Sequence, residues 1–278
     1  MNSYINYKQN LHTHTTFCDG KNTPEEMVLK AIGLGFDTIG FSGHSYTGFD
    51  INWHMTPENT GIYKKEISLL KEKYKNQINV LCGLEFEMLS SCDTDGYDYV
   101  IGSSHFMKKD NEIIEFDVKA HIVEDIINRY FDGDGMKYAK AYYEHIVHLP
   151  EYGNFDIVGH FDIISKHCET HNFFDTESEE YKNYALEALH TLTEKIKVFE
   201  VNTGAIARGY RTCPYPAPFI LKSMKELGCT VVLTSDCHNK NHLDCHYKEA
   251  VEYIASCGFN SIGIFRNGVI EEVKISVS

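Results

Sequence analysis

The chain has 278 residues, of which 42% are hydrophobic and 24% charged, with a formal net charge of -14. That length supports a large buried core, and α/β barrels of this size commonly form one domain. No basic run or stripe is present, which argues against a nucleic-acid duplex or long single strand as partner, and no run of about 18 apolar residues offers a membrane span.

The N-terminal Met1-Asn2-Ser3-Tyr4 lacks a basic region followed by an apolar one, so a soluble, non-exported protein is expected. Nine cysteines, an odd number without a Cys-x-x-Cys pair, fit reduced thiols in a cytoplasm better than a disulfide framework.

The first strand is expected over Asn10 to Thr16, where a period of two places His12 and His14 on one face and Leu11, Thr13 and Thr15 on the other. After the Asp19-Gly20 turn, Thr23-Pro24-Glu25-Glu26 opens a helix with Thr23 as N-cap and Glu26 completing a capping box. Asp37 to Ser42 is a short strand delivering Gly43-His44. Tyr46 to Thr56, which holds the single tryptophan Trp53, is read as a mobile flap over a site. A helix from Pro57 to Lys75 and a strand from Ile78 end in Glu85-Phe86-Glu87. Tyr97 to Gly102 is a strand delivering Ser103-Ser104-His105. Val118 to Tyr152 reads as two helices broken at Gly133-Asp134-Gly135, and Phe155 to Gly159 delivers His160-Phe161-Asp162. A loop from Lys166 to Thr176 precedes a helix from Ser178 to Lys195, and Val198 to Val201 delivers Asn202-Thr203-Gly204. Pro216 to Leu227 is helical, Thr230 to Ser235 delivers Asp236-Cys237-His238, and a helix from about Cys245 to Ser256 precedes a strand, a turn at Asn267-Gly268 and a final strand.

Alternating short apolar strands and amphipathic helices predict parallel βαβ units, about seven of them. Every candidate ligand falls at the C-terminal end of a strand, the place where functional side chains converge in a closed βα barrel. The set is His12, His14, Asp19, His44, Glu85, His105, His160, Asp236 and His238. The other nine histidines fall in expected helices and loops and are read as ordinary polar residues. Six imidazoles and three carboxylates exceed what one ion takes, so two or three metals are expected, with zinc, iron or manganese favoured by the mixed nitrogen and oxygen donors. Cys237 is not assigned as a ligand, because on an extended segment it points away from Asp236 and His238.

These motifs, with Gly83-Leu84-Glu85, Gly102-Ser103-Ser104-His105, Gly159-His160-Phe161-Asp162 and Glu200-Val201-Asn202-Thr203, resemble the polymerase-and-histidinol-phosphatase (PHP) superfamily from about Leu11 to Ile264. Within it, Ile101 to Phe106, Val158 to Asp162 and Phe199 to Pro216 look like the histidinol-phosphate phosphatases. The resemblance implies a single domain over 1–278, a distorted (β/α)7 barrel of TIM-like form, and three divalent ions at the C-terminal strand ends. It further implies that His12, His14, Glu85 and Asp236 hold the first metal, that Glu85 bridges to a second completed by His105 and His160, and that Asp19, His44 and His238 hold the third. Glu85, Asp236 and His44 are then the residues expected to act in catalysis.

Three divalent ions against three carboxylates leave a positive pocket suited to a phosphomonoester. The expected chemistry is in-line attack by hydroxide bridging the first two metals. Arg208, after the Asn202-Thr203-Gly204 strand end, is expected to grip phosphate, with Arg211 a further candidate and Lys166 a compensating cation. Superfamily members often carry Arg-Lys pairs where this chain reads Ser165-Lys166 and Ala207-Arg208. Three readings follow: a histidinol-phosphate phosphatase, a phosphoesterase for another small ester or nucleotide, and a metal-binding scaffold without turnover.

Overall fold

The computed structural model describes residues 5–50 and 52–276. Met1 to Tyr4, on which the expectation about export rests, and Ile51 within the expected flap lie outside the described residues. Strand β1 (Gln9–Asn10) is followed by helix α1 (Pro24–Gly33), where the Thr23 hydroxyl accepts from the Glu26 amide and Glu26 reaches back to the Thr23 amide. This reciprocal pairing satisfies two of the amide donors that a helix start leaves open. Next come β2 (Thr38–Phe41), α2 (Pro57–Tyr74), β3 (Asn79–Glu87) and β4 (Tyr99–Ser103).

A hairpin, β5 (Phe106–Lys109) and β6 (Glu112–Glu115), then leads to α3 (Ala120–Tyr130), α4 (Gly135–Ile146) and β7 (Ile157–Val158). The chain continues through α5 (Glu179–Thr193), β8 (Val198–Asn202), the single turn α6 (Gly204–Ala207), α7 (Pro218–Glu226) and β9 (Thr230–Thr234). Helix α8 (Tyr247–Ser256) and an antiparallel hairpin, β10 (Ser261–Arg266) and β11 (Val269–Lys274), complete it.

Seven strands lie in the order β1-β2-β3-β4-β7-β8-β9, all parallel, which is the distorted (β/α)7 barrel expected from the alternation of elements. Closure between β9 and β1 uses no full ladder. A single parallel bridge joins Thr13 and Cys237, and the Asn10 side-chain Nδ2 donates to Ser235 Oγ at 2.6 Å and to the Leu243 carbonyl at 3.1 Å. Leu11, Leu81, Tyr99, Ile101, Ile157, Val232 and Phe265 form a small apolar cluster apart from the main core, and the Tyr99 hydroxyl donates to the Leu11 and Phe41 carbonyls. Gly83 is glycine because a Cβ there would stand 2.6 Å from the Tyr99 ring edge. The main core lies between the sheet and its helices, with Met27 and Ala31 of α1, Tyr63 and Ile67 of α2 and Leu189 of α5 fully buried.

Three expectations need correction. The first strand is two residues long rather than seven, because the His12 amide turns back to Asn10 Oδ1 and breaks the alternation; Leu11 therefore joins the small apolar cluster although His12 and His14 are themselves buried. The segment Asp236 to His238 is not extended, since Asp236 has φ of 46°; Cys237 is still turned aside, its thiol donating to the Asn239 carbonyl at 2.8 Å. The hairpin β5–β6 had no counterpart in the sequence reading, although Asp110 and Asn111, at φ of 50° and 65°, are the residue types that tolerate such a turn. All nine cysteines are free, and no helix among the described residues is long and apolar enough to cross a membrane.

Candidate metal centre and its cavity

The seven strands bring all nine candidate ligands to one end of the barrel. His12 and His14 follow β1, His44 follows β2, Glu85 lies within β3, His105 follows β4, His160 follows β7, and Asp236 and His238 follow β9. Asp19 is placed by a tight turn in which the Cys18 and Gly20 amides both donate to the Thr15 carbonyl. A Cβ on Gly20 would run into the His14 backbone.

Glu85 sits at the centre. Its Oε2 lies 2.9 Å from His44 Nδ1, 3.1 Å from His12 Nε2 and 3.4 Å from His14 Nε2, and its Oε1 lies 3.0 Å from His160 Nε2 and 3.6 Å from His105 Nε2. Asp236 Oδ1 is 3.3 Å from His14 Nε2 and 3.6 Å from His12 Nε2, while Asp19 Oδ2 is 3.0 Å from His238 Nε2. Ligand atoms gather in three sets within 4.8 Å of one another: His14, Asp19, His44 and His238; His12, His14 and Asp236; His44, Glu85 and His105. His14 and His44 thus each face two sets. His160 stands beside the last set, its Nε2 being 3.2 Å from His105 Nε2.

His12 Nε2, His14 Nε2 and Glu85 Oε2 are buried and make no hydrogen bond among the described residues. Unsatisfied polar atoms are costly in a protein interior, and three converging on one point fit a divalent cation as their missing partner. The electrostatics agree. Burial opposes ionisation of Glu85, yet His12, His44 and His105 hold its carboxyl well below the usual range. Burial likewise opposes ionisation of Asp236, and Arg208 and His12 hold it well below. Burial, with His238 and His44 adding like charge, pulls His14 down to about 3. Burial also pulls on His105, but Glu85 and Glu87 raise it to about 9.

Two further carboxylates, to which the motifs assign no role, stand behind the candidate ligands. Glu200 Oε1 lies 2.6 Å from His12 Nδ1 and accepts from the Thr234 hydroxyl at 2.5 Å, while its Oε2 accepts the His160 amide at 2.7 Å. Glu87 Oε2 accepts the His105 amide at 2.8 Å and lies 3.0 Å from His105 Nδ1. Each arrangement engages Nδ1 with a carboxylate and turns Nε2 toward Glu85, the usual way in which an outer carboxylate orients an imidazole so that Nε2 is the nitrogen offered to a metal. An acidic residue amid Val198-Phe199-Glu200-Val201 was the available signal for Glu200, because a fully buried charge in an apolar strand requires a partner.

Above the ligands opens a cavity of about 390 Å³. Asp19, His44, His105, Asp236 and His238 form its floor, and Trp53, Lys166, Arg208 and Tyr210 stand in its walls. Arg208 donates from Nη2 to Asp236 Oδ2 at 2.9 Å and from Nη1 to the Asp236 carbonyl at 3.1 Å, which places its guanidinium beside the ligands. Lys166 Nζ is 2.6 Å from Asp117 Oδ1 and 4.5 Å from the Tyr210 ring centre. Trp53, from the expected flap, sets its ring 4.4 Å from that of His44.

Arg211 departs from its expected place. It is buried outside this cavity, donating to Ser165 Oγ at 2.7 Å, 3.6 Å from Asp162 and 3.7 Å from Glu169, with its guanidinium over Tyr215. Its charge is taken up inside the protein, and it braces the loops that carry Ser165 and Arg208.

Fold and site together define a βα barrel that carries a candidate histidine–carboxylate metal centre at its strand ends. The PHP domain family matches residues 10–204, and the chain belongs to that family. It is 25% identical to the "Probable histidinol-phosphatase" of Schizosaccharomyces pombe, over 92% of this chain and 89% of that protein. To the histidinol-phosphatase of Bacillus subtilis it is 24% identical, over 88% and 98% of the two chains. A crystal structure of histidinol phosphate phosphatase from Lactococcus lactis, complexed with zinc, L-histidinol and phosphate, superposes with a TM-score of 0.72 at 22% identity, covering 95% of this chain and 98% of that one.

Proposed function

We propose that this chain is a metal-dependent phosphomonoesterase that hydrolyses L-histidinol phosphate to L-histidinol and phosphate, a step of histidine biosynthesis. The observation that carries the reading is the convergence of nine histidine and carboxylate side chains, three of their buried atoms without a hydrogen bond, at the floor of a cavity walled by Arg208 and Lys166. The names of the full-length relatives support the substrate. Three ions, of zinc, iron or manganese, would be held by His12, His14, Glu85 and Asp236, by Glu85, His105 and His160, and by Asp19, His44 and His238. Zinc in the Lactococcus lactis complex supports that element for at least part of the set. When bound, such ions supply a hydroxide nucleophile near neutral pH and neutralise phosphoryl oxygens.

The protein's own groups do the positioning. Glu200 and Glu87 engage Nδ1 of His12 and His105, so that Nε2 is the nitrogen each would offer to a metal. Arg208, held by Asp236, offers its remaining N–H groups to the phosphate and fixes the direction from which the ester bond is presented. Trp53 and Tyr210 wall the cavity and limit water around the ester. The reading includes one PHP domain over 1–278 and a cytoplasmic location.

One observation favours a second reading, a phosphoesterase for another small ester. The two positions where relatives often add cations offer none here: the Ser165 hydroxyl is engaged by Arg211, and Ala207 is apolar. Steady-state phosphate release by metal-reconstituted protein decides between them. High kcat/KM for histidinol phosphate against a panel of ribonucleoside monophosphates supports the first reading; preference for another ester replaces it with the second.

A further inference from the structure

Four of the six candidate histidine ligands have Nδ1 engaged by a group outside the set of ligand atoms. Glu200 lies behind His12 at 2.6 Å, Glu87 behind His105 at 3.0 Å, the Asp236 carbonyl behind His238 at 2.9 Å and the Cys18 thiol behind His14 at 3.5 Å. His44 differs. Its Nδ1 is 2.9 Å from Glu85 Oε2 and its Nε2 is 3.6 Å from Asp19 Oδ1, so both nitrogens face candidate ligand carboxylates. Among the described residues, no hydrogen bond from outside that set holds the ring.

An aromatic contact stands in that place. The half-buried Trp53 sets its indole edge-on to the His44 imidazole, with ring centres 4.4 Å apart and planes at 78°. Edge-to-face pairing is a favoured aromatic arrangement, and so short a spacing restricts the tilt of the smaller ring. Trp53 is itself supported. It stacks on His54 at 3.8 Å and 25°, and it lies almost parallel to Phe106 at 5.6 Å and 8°. His54 is buried, and neither of its ring nitrogens has a hydrogen-bond partner among the described residues, so it offers Trp53 a ring face rather than a polar contact. The backbone around Trp53 is tied as well. Ser90 Oγ donates to the Tyr46 carbonyl at 2.6 Å, Thr47 Oγ donates to the Asp50 carbonyl at 2.7 Å, and the amide of the fully buried Met55 donates to the His44 carbonyl at 3.1 Å. The segment expected as a flap therefore delivers a supported ring to one ligand.

We propose that Trp53 is a positioning residue that holds the His44 imidazole for the ion shared with Asp19 and His238, taking the part that outer carboxylates play behind His12 and His105. The inference rests on the reading of the nine side chains as a metal centre. Asp19 and His238 are the most open of the candidate ligands, so this ion depends most on a fixed third donor. An imidazole free to tilt must be ordered when the ion binds, and a ring already held in place spares that ordering.

The test is a zinc competition titration against a chelator, run on the metal-free full chain as wild type, Trp53→Ala, Trp53→Phe, His44→Ala and the Trp53→Ala/His44→Ala double variant. In Trp53→Ala, one class of zinc should bind about three- to tenfold more weakly, with the other classes unchanged. Trp53→Phe, which keeps a ring edge, should recover most of that loss. In the His44→Ala background, Trp53→Ala should cause no further loss, because a residue that acts through His44 has nothing left to hold. Emission from the single tryptophan should change in the wild type as the affected class fills. Unchanged zinc affinity in Trp53→Ala overturns the role of Trp53 and leaves the metal centre standing. Equal weakening of every class, or the same loss with and without His44, overturns it too, by showing a general effect on the fold. Wild-type protein that takes up no zinc removes the metal centre and the role of Trp53 together.

Discussion

His12 Nδ1 and Glu200 Oε1 lie 2.6 Å apart across 188 residues of sequence, both fully buried. The ligand on one strand end is thus oriented by an acid in the middle of another strand, and the pair predicts how metal affinity responds to mutation. Glu200→Gln keeps the shape but permits the wrong imidazole tautomer. Apparent affinity for zinc should fall by about ten- to a hundredfold, and activity should return at higher metal concentration. Competition titration against a chelator measures this; an unchanged affinity would remove Glu200 from the centre.

Asp19 and His238 form the most open part of the set, with 32% and 24% of their side chains exposed. Asp19→Ala and His238→Ala should each lower the metal content and abolish phosphate release, with the fold intact by circular dichroism. Full metal content without hydrolysis of any ester, in the wild type, would instead identify a binding scaffold.

Arg208 and Arg211 lie three residues apart and should fail in different ways. Arg208→Gln should reduce kcat/KM by about ten- to a hundredfold at nearly unchanged melting temperature, since its guanidinium is partly open to the cavity. Arg211→Met strands the buried Asp162 carboxylate and should destabilise the fold by about 3–5 kcal/mol, with near-normal turnover in the fraction that remains folded. Parallel melting curves and initial rates separate the two.

The Asp117–Lys166 pair predicts an acid-sensitive contribution to stability. Burial resists ionisation of Asp117, but Lys166 and then His105 hold its carboxyl well below the ordinary value. A carboxyl lowered on folding stabilises the native state at pH values above its unfolded pKa, and this contribution is lost as pH falls toward the folded value. Asp117→Asn should therefore lower the melting temperature of the metal-free protein at pH 7 and flatten its decline from about pH 5 downward. Parallel curves for the two proteins would exclude the pair as a source of acid sensitivity.

Much of the barrel was legible because its signals are local. The Thr23–Glu26 capping box, the apolar runs at Thr38–Phe41 and Thr230–Thr234 and the histidines that follow them depend on residues a few positions apart, and backbone geometry converts such spacing directly into helices and strands. That regularity also placed the nine candidate ligands at one end of the fold. Tertiary structure alone decided which atoms face each other across the barrel. It placed Glu200 behind His12, turned Leu11 out of the alternation, drew Arg211 into a buried ion-pair network while leaving Arg208 at the cavity, and set Glu115 in the cavity wall on a hairpin that the spacing does not predict. These outcomes depend on burial and on charge partners distant in the chain, and a charged residue's role follows from the partner it meets rather than from its neighbours in sequence.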